Sequence, residues 1–453
     1  MVLSGFRLSA MITGMMSRKN RRPKSADLLT AWESLDTGDI PGALRQLRPG
    51  ADTLPLDEIA LVVGRAAGMA GFDDLRKAAK SLAGRADGAK QLFDFGYAAV
   101  ERGIPYVAIP ALREALRQSP GSLGVLRELV TSYEREGRHR EAVDVLTRYE
   151  GEFADWPDRY LLVHNAIMAG DLVLADRHHA LLPDPSDPVW RQPRDRQRGM
   201  LERAARVAPV SPLDVADLRG WQFVMGGTIL GTLSPFGFGA GMNGRYAWLQ
   251  DSYEQCLQGL SRLKALLETA EVRPRSVSLL PDRGSRILGL AAADVLGLPA
   301  EPFAPGREDT VVIAYDLNLL AATDEGPDIL VRLSERAPGQ ILHEHASDWT
   351  DAPVVTADSV TLLRQHVVAP WEGQLIAGEG GEPVRSPADD RTAESVAADI
   401  VAADPSPDPG DGETPADTAE HFTDFVAAVR DTWLRSDRSR LNSSGPVPSS
   451  RFT

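Results

Sequence analysis

Five glycines, at positions 38, 71, 103, 137 and 170, stand 33, 32, 34 and 33 residues apart. Each lies between two stretches whose apolar residues recur at helical spacing. One helix pair buries too little apolar surface to be stable by itself, so a chain punctuated at this period must stack pair upon pair. Glycine suits the turn inside each pair because it takes positive φ at no steric cost. The clearest copy is "FGYAAVERGIPYVAIPALREALRQSP", where Phe95, Gly96 and Ala99 precede Gly103, and Ala108, Leu112, Ala115 and Pro120 follow. The next, "LVTSYEREGRHREAVDVLTRY", sets Leu129, Tyr133, Ala142, Leu146 and Tyr149 around Gly137. Small residues admit a neighbouring helix, large ones fill the space that remains, and proline stops the second helix. The first, second and fifth copies match mainly through their glycine, and the second carries Arg76 where a small residue is expected.

The period and the order of small and large residues resemble the tetratricopeptide repeat (TPR). The resemblance implies an α-solenoid of about five helix pairs over residues 25–185. It also implies a concave groove, lined by the first helix of each pair, that holds a protein or peptide. Carried onto this chain, the groove positions are Lys90, Phe93, Tyr97 and Val100; Arg127, Thr131, Glu134 and Arg135; and Tyr160, His164 and Ile167. These positions also read as ordinary solvated residues between repeats.

A formal charge of −15 argues against nucleic acid as the main partner, since phosphate backbones require clustered Lys and Arg. The single cysteine, Cys256, excludes an internal disulfide framework and fits a reducing cytoplasm. At the start, "MVLSGFRLSAMITGMMSRKNRRPKSADLL" has its basic cluster after the apolar stretch, the reverse of a secretory signal. Met11, Met15 and Met16 read as alternative starts, and disorder is expected over residues 1–24. The longest uncharged run, residues 220–243, approaches the length of a membrane span but is rich in glycine. It reads as a hairpin, "WQFVM" and "TILGTL" about a Gly-Gly turn, and no membrane partner is expected.

After a proline-rich, charged linker (186–210), residues 211–373 read as a smaller α/β domain. A helix over 245–270 places Leu249, Tyr253, Cys256, Leu260, Leu263 and Leu267 at helical spacing. Strand "SVSLLP", helix "SRILGLAAADVLG", strand "TVVIAYDL" and strand "QILHEHA" follow. Such alternation implies a parallel or mixed sheet with ligands at the carboxyl ends of its strands. The turn "PDRGS" therefore offers Asp282, Arg283, Gly284 and Ser285, with Arg286 beside them, as an anion site in which Ser285 caps the helix. Residues 274–318 resemble phosphoribosyltransferases: apolar strand, "PD-x-G" turn, alanine-rich helix, then a second strand running to Asp316. The resemblance implies a ribose-binding acidic pair and a phosphate loop there. Tyr315 stands in place of the second acid, and "LNLLAAT" has no glycine to cradle a phosphate.

His343 and His345 share a strand face, compatible with a metal if Asp348 or Asp351 adds a third ligand, but they read chiefly as strand residues without one. No catalytic residue, cofactor or metal is assigned. Between residues 377 and 417 stand eleven acids and two arginines, so the stretch 374–417 reads as a disordered acidic tether. An amphipathic helix over 418–436 carries Phe422, Phe425, Val426, Val429 and Trp433 on one face, suited to docking in cis or on a partner, and a disordered tail over 437–453 ends the chain. Two functions remain: a cytoplasmic interaction scaffold with a non-catalytic α/β domain, or a transferase or hydrolase acting on a phosphorylated or nucleotide substrate.

Overall fold

The structure, a computed structural model, describes residues 22–448 apart from 86, 153, 379–380 and 405. The disorder expected over 1–24 therefore falls almost wholly outside the described residues, as does the end of the expected tail. The chain divides into two compact units, Met1–Ala169 with Arg177–Pro185, and Gly170–Asp176 with Ser186–Thr453.

The first unit is helical. Its helices run in pairs: α1 (Ala26–Asp36) and α2 (Ile40–Leu47), α3 (Leu56–Ala70) and α4 (Asp73–Gly84), α5 (Ala89–Glu101) and α6 (Pro105–Gln118), α7 (Leu123–Arg135) and α8 (His139–Arg148). Helix α9 (Tyr160–Met168) follows, and α10 (Leu172–Ala180), beyond Gly170, is divided between the two units. The five periodic glycines take φ between +66° and +86°, where a side chain would strain the backbone. Gly96 has a second reason to lack a side chain, because a Cβ there would stand 2.5 Å from Leu112 Cγ. Phe95, Ala99, Ala108, Leu112 and Ala142 are fully buried. The first pair and the stretch leaving it meet later pairs: Tyr106 Oη donates to Leu44 O at 2.9 Å, and Asp52 bonds Arg113 and Arg138.

The second unit is α/β. Strands β1 (Ile229–Leu230), β2 (Tyr246–Gln250), β3 (Ser276–Leu279), β4 (Ala300–Pro302), β5 (Thr310–Ala314), β6 (Ile341–Asp348) and β7 (Ser359–Val368) form one sheet. Its order is β1-β7-β6-β5-β3-β4, with β2 following β1 along the same edge of β7, and all pairings are parallel. Helices α11 (Arg191–Val207), α12 (Leu218–Gly226), α13 (Tyr253–Thr269), α14 (Arg283–Leu296), α15 (Leu317–Ala321) and α16 (Gly326–Ser334) precede or join the strands. A small hairpin, β8 (Leu375–Ala377) with β9 (Pro383–Arg385), and helices α17 (Ala393–Ala402) and α18 (Ala419–Val429) complete the unit.

Several expectations meet a different structure. The linker 186–210 holds α11, which buries Met200, Ala204 and Val207. The expected hairpin is helix α12 followed by β1. Asp217 caps the helix by accepting from Gly220 N, and Gly227 ends it in the left-handed conformation. Buried on all sides, Trp221, Phe223 and Val224 lack the polar face that would have marked a helix. The single helix over 245–270 divides because Ser252 caps α13, which leaves Leu249 on strand β2. In the stretch read as an acidic tether, α17 buries Val396, Ala397 and Ile400 and packs along α14. Within the expected tail, Arg438 and Val447 are buried, and Val355 bridges to Ser439. Among the described residues, no helix is long and apolar enough to cross a membrane.

Candidate functional site

Parallel strands bring their carboxyl ends to one edge of the sheet, so β2, β3, β5, β6 and β7 all deliver side chains there. The turn after β3 is built as a connection. Asp282 caps α14, its Oδ2 accepting from Ser285 N at 2.9 Å, so the helix's free N–H groups already face a carboxylate. The sequence pattern makes Ser285 the cap, and the structure gives that place to Asp282. The buried Ser285 hydroxyl accepts from Tyr315 N at 3.0 Å and ties the helix to the end of β5. Gly284 lies between Trp371 and Tyr315. Arg283 donates to the carbonyls of Asp389 and Arg391, and Arg286 pairs with Glu394 at 3.0 Å. The two arginines are thus engaged by the chain's own acidic segment.

Asp316 is equally committed. It caps α15 through Asn318 N at 2.9 Å and forms a buried pair with Arg364, whose Nη1 also reaches Asp348 at 2.6 Å. Burial raises the Asp316 carboxyl and Arg364 draws it back. On the same face of β6, burial, reinforced by Asp316, pushes Glu344 up to about 7. Glu344 Oε1 accepts from Leu317 N at 2.8 Å.

The opposite face of β6 carries a cluster that joins distant positions. Asp251, at the end of β2, is buried. Its Oδ2 accepts from Tyr315 Oη at 2.8 Å, from His345 Nε2 at 3.0 Å and from Cys256 Sγ at 3.6 Å. Cys256 Sγ lies 3.9 Å from His345 Nε2. The Tyr315 ring stacks on His345 with centroids 5.4 Å apart and meets Trp371 edge-on at 4.9 Å. Burial lifts the Cys256 thiol well above its ordinary value, which makes it a poor nucleophile. His343 shares this face, as its spacing from His345 requires, but bonds Ser359 Oγ at 2.8 Å and Thr361 Oγ1 at 3.2 Å. The residues that join His345 are therefore Asp251 and Cys256, whereas Asp348 pairs with Arg364 and Asp351 with Arg440. The sequence signal for Asp251 was faint: an acid between a strand and a Ser helix cap, 94 residues before its partner.

In the helical unit the expected groove residues divide. Lys90 is exposed and pairs with Asp94 at 2.6 Å, while Tyr97, 46 % exposed, lies 6.1 Å from the Phe93 ring. Arg127 grips the fully buried Asp158 through two bonds of 2.7 and 3.0 Å, and Glu134 accepts from Asn165 at 2.6 Å. Both therefore tie one pair to the next. Arg135 donates to the carbonyl of the buried Val100, and Thr131 is half-buried. Tyr160 stacks on Trp156, and Ile167 is core.

His164 is half-buried beside His139, their rings edge-to-face at 6.2 Å. Burial, with His139 adding to it, pulls its imidazole from 6.5 down to about 4. The folded chain thus keeps His164 neutral where the unfolded chain has protonated it. Its contribution to stability is complete above about pH 6.5 and is lost as the pH falls toward about 4. The neighbouring Glu134, raised by burial, acts in the opposite sense, its contribution fading as the pH rises. Between about pH 7 and pH 4.5, His164 alone is expected to remove on the order of 2 kcal/mol from the helical unit. Urea melts followed by circular dichroism should show a smaller acid loss in His164→Gln. An equal loss in both proteins would contradict the assignment.

No protein-family model and no curated protein matches the chain. Solved structures similar to part of it include two at 21 % identity and a TM-score of 0.23. One, titled "MamA AMB-1 C2221", matches over 35 % of this chain and 96 % of its own. The other, a MamA mutant, matches over 34 % and 87 %. At that TM-score the likeness carries no argument about function.

Proposed function

We propose that this chain is an interaction scaffold: a TPR-like helical array that holds a protein or peptide, joined to a non-catalytic α/β unit. The observation that carries this reading is the set of five left-handed glycines at a period of 32–34 residues, the first four each between two helices packed as a pair. That is the turn geometry a stacked array requires. The commitments of Asp282, Ser285, Arg283 and Arg286 to the chain's own groups favour the non-catalytic reading of the second unit. Within the groove, Lys90, Phe93 and Tyr97 are the contact residues, since Arg127 and Glu134 already serve the neighbouring pair. The single, buried Cys256 suits a cytoplasmic setting.

The test is photo-crosslinking in the native cell from position 97, with exposed Val331 as the control position. A defined adduct from 97, absent from 331 and lost in Phe93→Ala, is the expected result. Adducts of equal pattern from both positions would remove the groove. Calorimetry with phosphoribosyl pyrophosphate should show no heat of binding. Tight binding abolished by Asp316→Asn would make the chain a phosphoribosyltransferase-like enzyme instead.

A further inference from the structure

We propose that Asp251, Cys256 and His345 form a buried three-ligand site for one divalent transition-metal ion of the zinc type, which ties α13 to the sheet. The three residues come from three elements: the end of β2, the first turn of α13 and the middle of β6. All three are buried, and their ligand atoms lie within 4.8 Å of one another. The triangle Oδ2–Nε2–Sγ has edges of 3.0, 3.6 and 3.9 Å. Zinc bonds of about 2.0–2.1 Å to nitrogen, 2.0–2.2 Å to oxygen and 2.3 Å to sulfur, arranged tetrahedrally, require edges of roughly 3.3–3.6 Å. An ion fits this triangle with side-chain shifts of a few tenths of an ångström.

Charge favours the same assignment. The buried Asp251 carboxylate has no Arg or Lys among its described partners, only Tyr315, Cys256, His345 and Ser252 N. A carboxylate, a thiolate and a neutral imidazole sum to −2, so a divalent ion leaves the buried cluster neutral once the thiol proton has passed to solvent. The donor set also discriminates: thiolate with imidazole suits zinc or cobalt, whereas magnesium and calcium require oxygen ligands. Orienting groups are in place for Asp251, while His345 Nδ1 is buried without a hydrogen-bond partner among the described residues. Ser252 N holds Asp251 Oδ1 at 2.9 Å, and Tyr315 Oη occupies one side of Oδ2 and leaves another lone pair for the ion. Three protein ligands leave a fourth tetrahedral position, and full burial, with Trp371 against Tyr315, shuts that position off from bulk solvent.

The experiment uses the full chain, produced without a histidine tag. Elemental analysis is expected to find about one zinc ion per chain. After chelation, added cobalt(II) should produce a thiolate-to-metal absorption band. Cys256→Ser should keep the circular dichroism of the parent and lose the band, and His345→Gln should weaken cobalt binding by at least about 100-fold. A parent chain that carries no zinc and gives no band with cobalt overturns the site, whatever the variants do. So does a band that persists in Cys256→Ser.

Discussion

Arg438→Ala is expected to destabilise the α/β unit by about 3–5 kcal/mol, measured as a shift of the urea midpoint at constant slope. Arg438 lies only ten residues from the end of the described chain, yet its side chain is 1 % exposed. Its Nη2 meets Asp358 Oδ2 at 2.6 Å, and its Nη1 donates to Leu333 O and Gln340 Oε1 at 2.8 and 3.0 Å. Asp358 in turn accepts from Leu342 N at 2.8 Å, which joins the start of β7 to β6. Removing the guanidinium takes one of two cationic partners from the buried Asp358, leaving Arg336, and also strips Leu333 O and Gln340 Oε1 of a buried donor. Arg438→Met with Asp358→Asn should therefore be less destabilised than Arg438→Ala alone. A single-variant shift below about 1 kcal/mol would mean that the tail adds nothing to the sheet.

The same residue shows why parts of this fold were hidden in the sequence. "SDRSRLNSSGPVPSS" is polar, and composition assigns it to solvent. Only the tertiary structure supplies Asp358, 80 residues away, to bury Arg438. The α17 segment is similar. Val396, Ala397 and Ile400 are too few to advertise a core helix among eleven acids, and they are buried because α14 offers them a face. Where geometry is local, the sequence was readable. The glycine turns need positive φ whatever surrounds them, and strands β3, β5 and β6 announced themselves by apolar runs bounded by turns. The carboxyl edge was placed correctly, but its occupants were not. Residues 282–286 fit an anion by type, yet their partners Asp389, Arg391 and Glu394 lie more than a hundred residues on. His343 and His345 were visible as a pair, whereas Asp251 and Cys256 join His345 only through the parallel order of β2, β7 and β6.

The helix α18 yields the other large effect. Phe422 is 1 % exposed, with the guanidinium carbons of Arg262 and Arg219 lying 4.9 and 5.3 Å from its ring centroid. Both arginines also bond Asp417, Arg219 through its carboxylate at 2.9 Å and Arg262 through its carbonyl at 2.7 Å. Phe425 meets Phe223 edge-on at 5.9 Å, and Trp433 Nε1 donates to Asp358 O at 2.9 Å. Phe422→Ala removes the ring that both cations cover and is expected to cost about 3–5 kcal/mol. The preceding stretch, residues 406–416, is mostly exposed and makes few contacts, among them Gly237 N with Asp411 at 2.8 Å. Limited proteolysis should cut there, a narrower window than the whole acidic tract, because α17 protects its own part. The nicked parent should still elute as one particle holding both fragments, since Phe422, Phe425, Trp433 and Arg438 all lie on the C-terminal side of the cut. In nicked Phe422→Ala the C-terminal fragment should separate on gel filtration. Release from the nicked parent itself would show that the covalent link, rather than the apolar face and its two arginines, holds α18 in place.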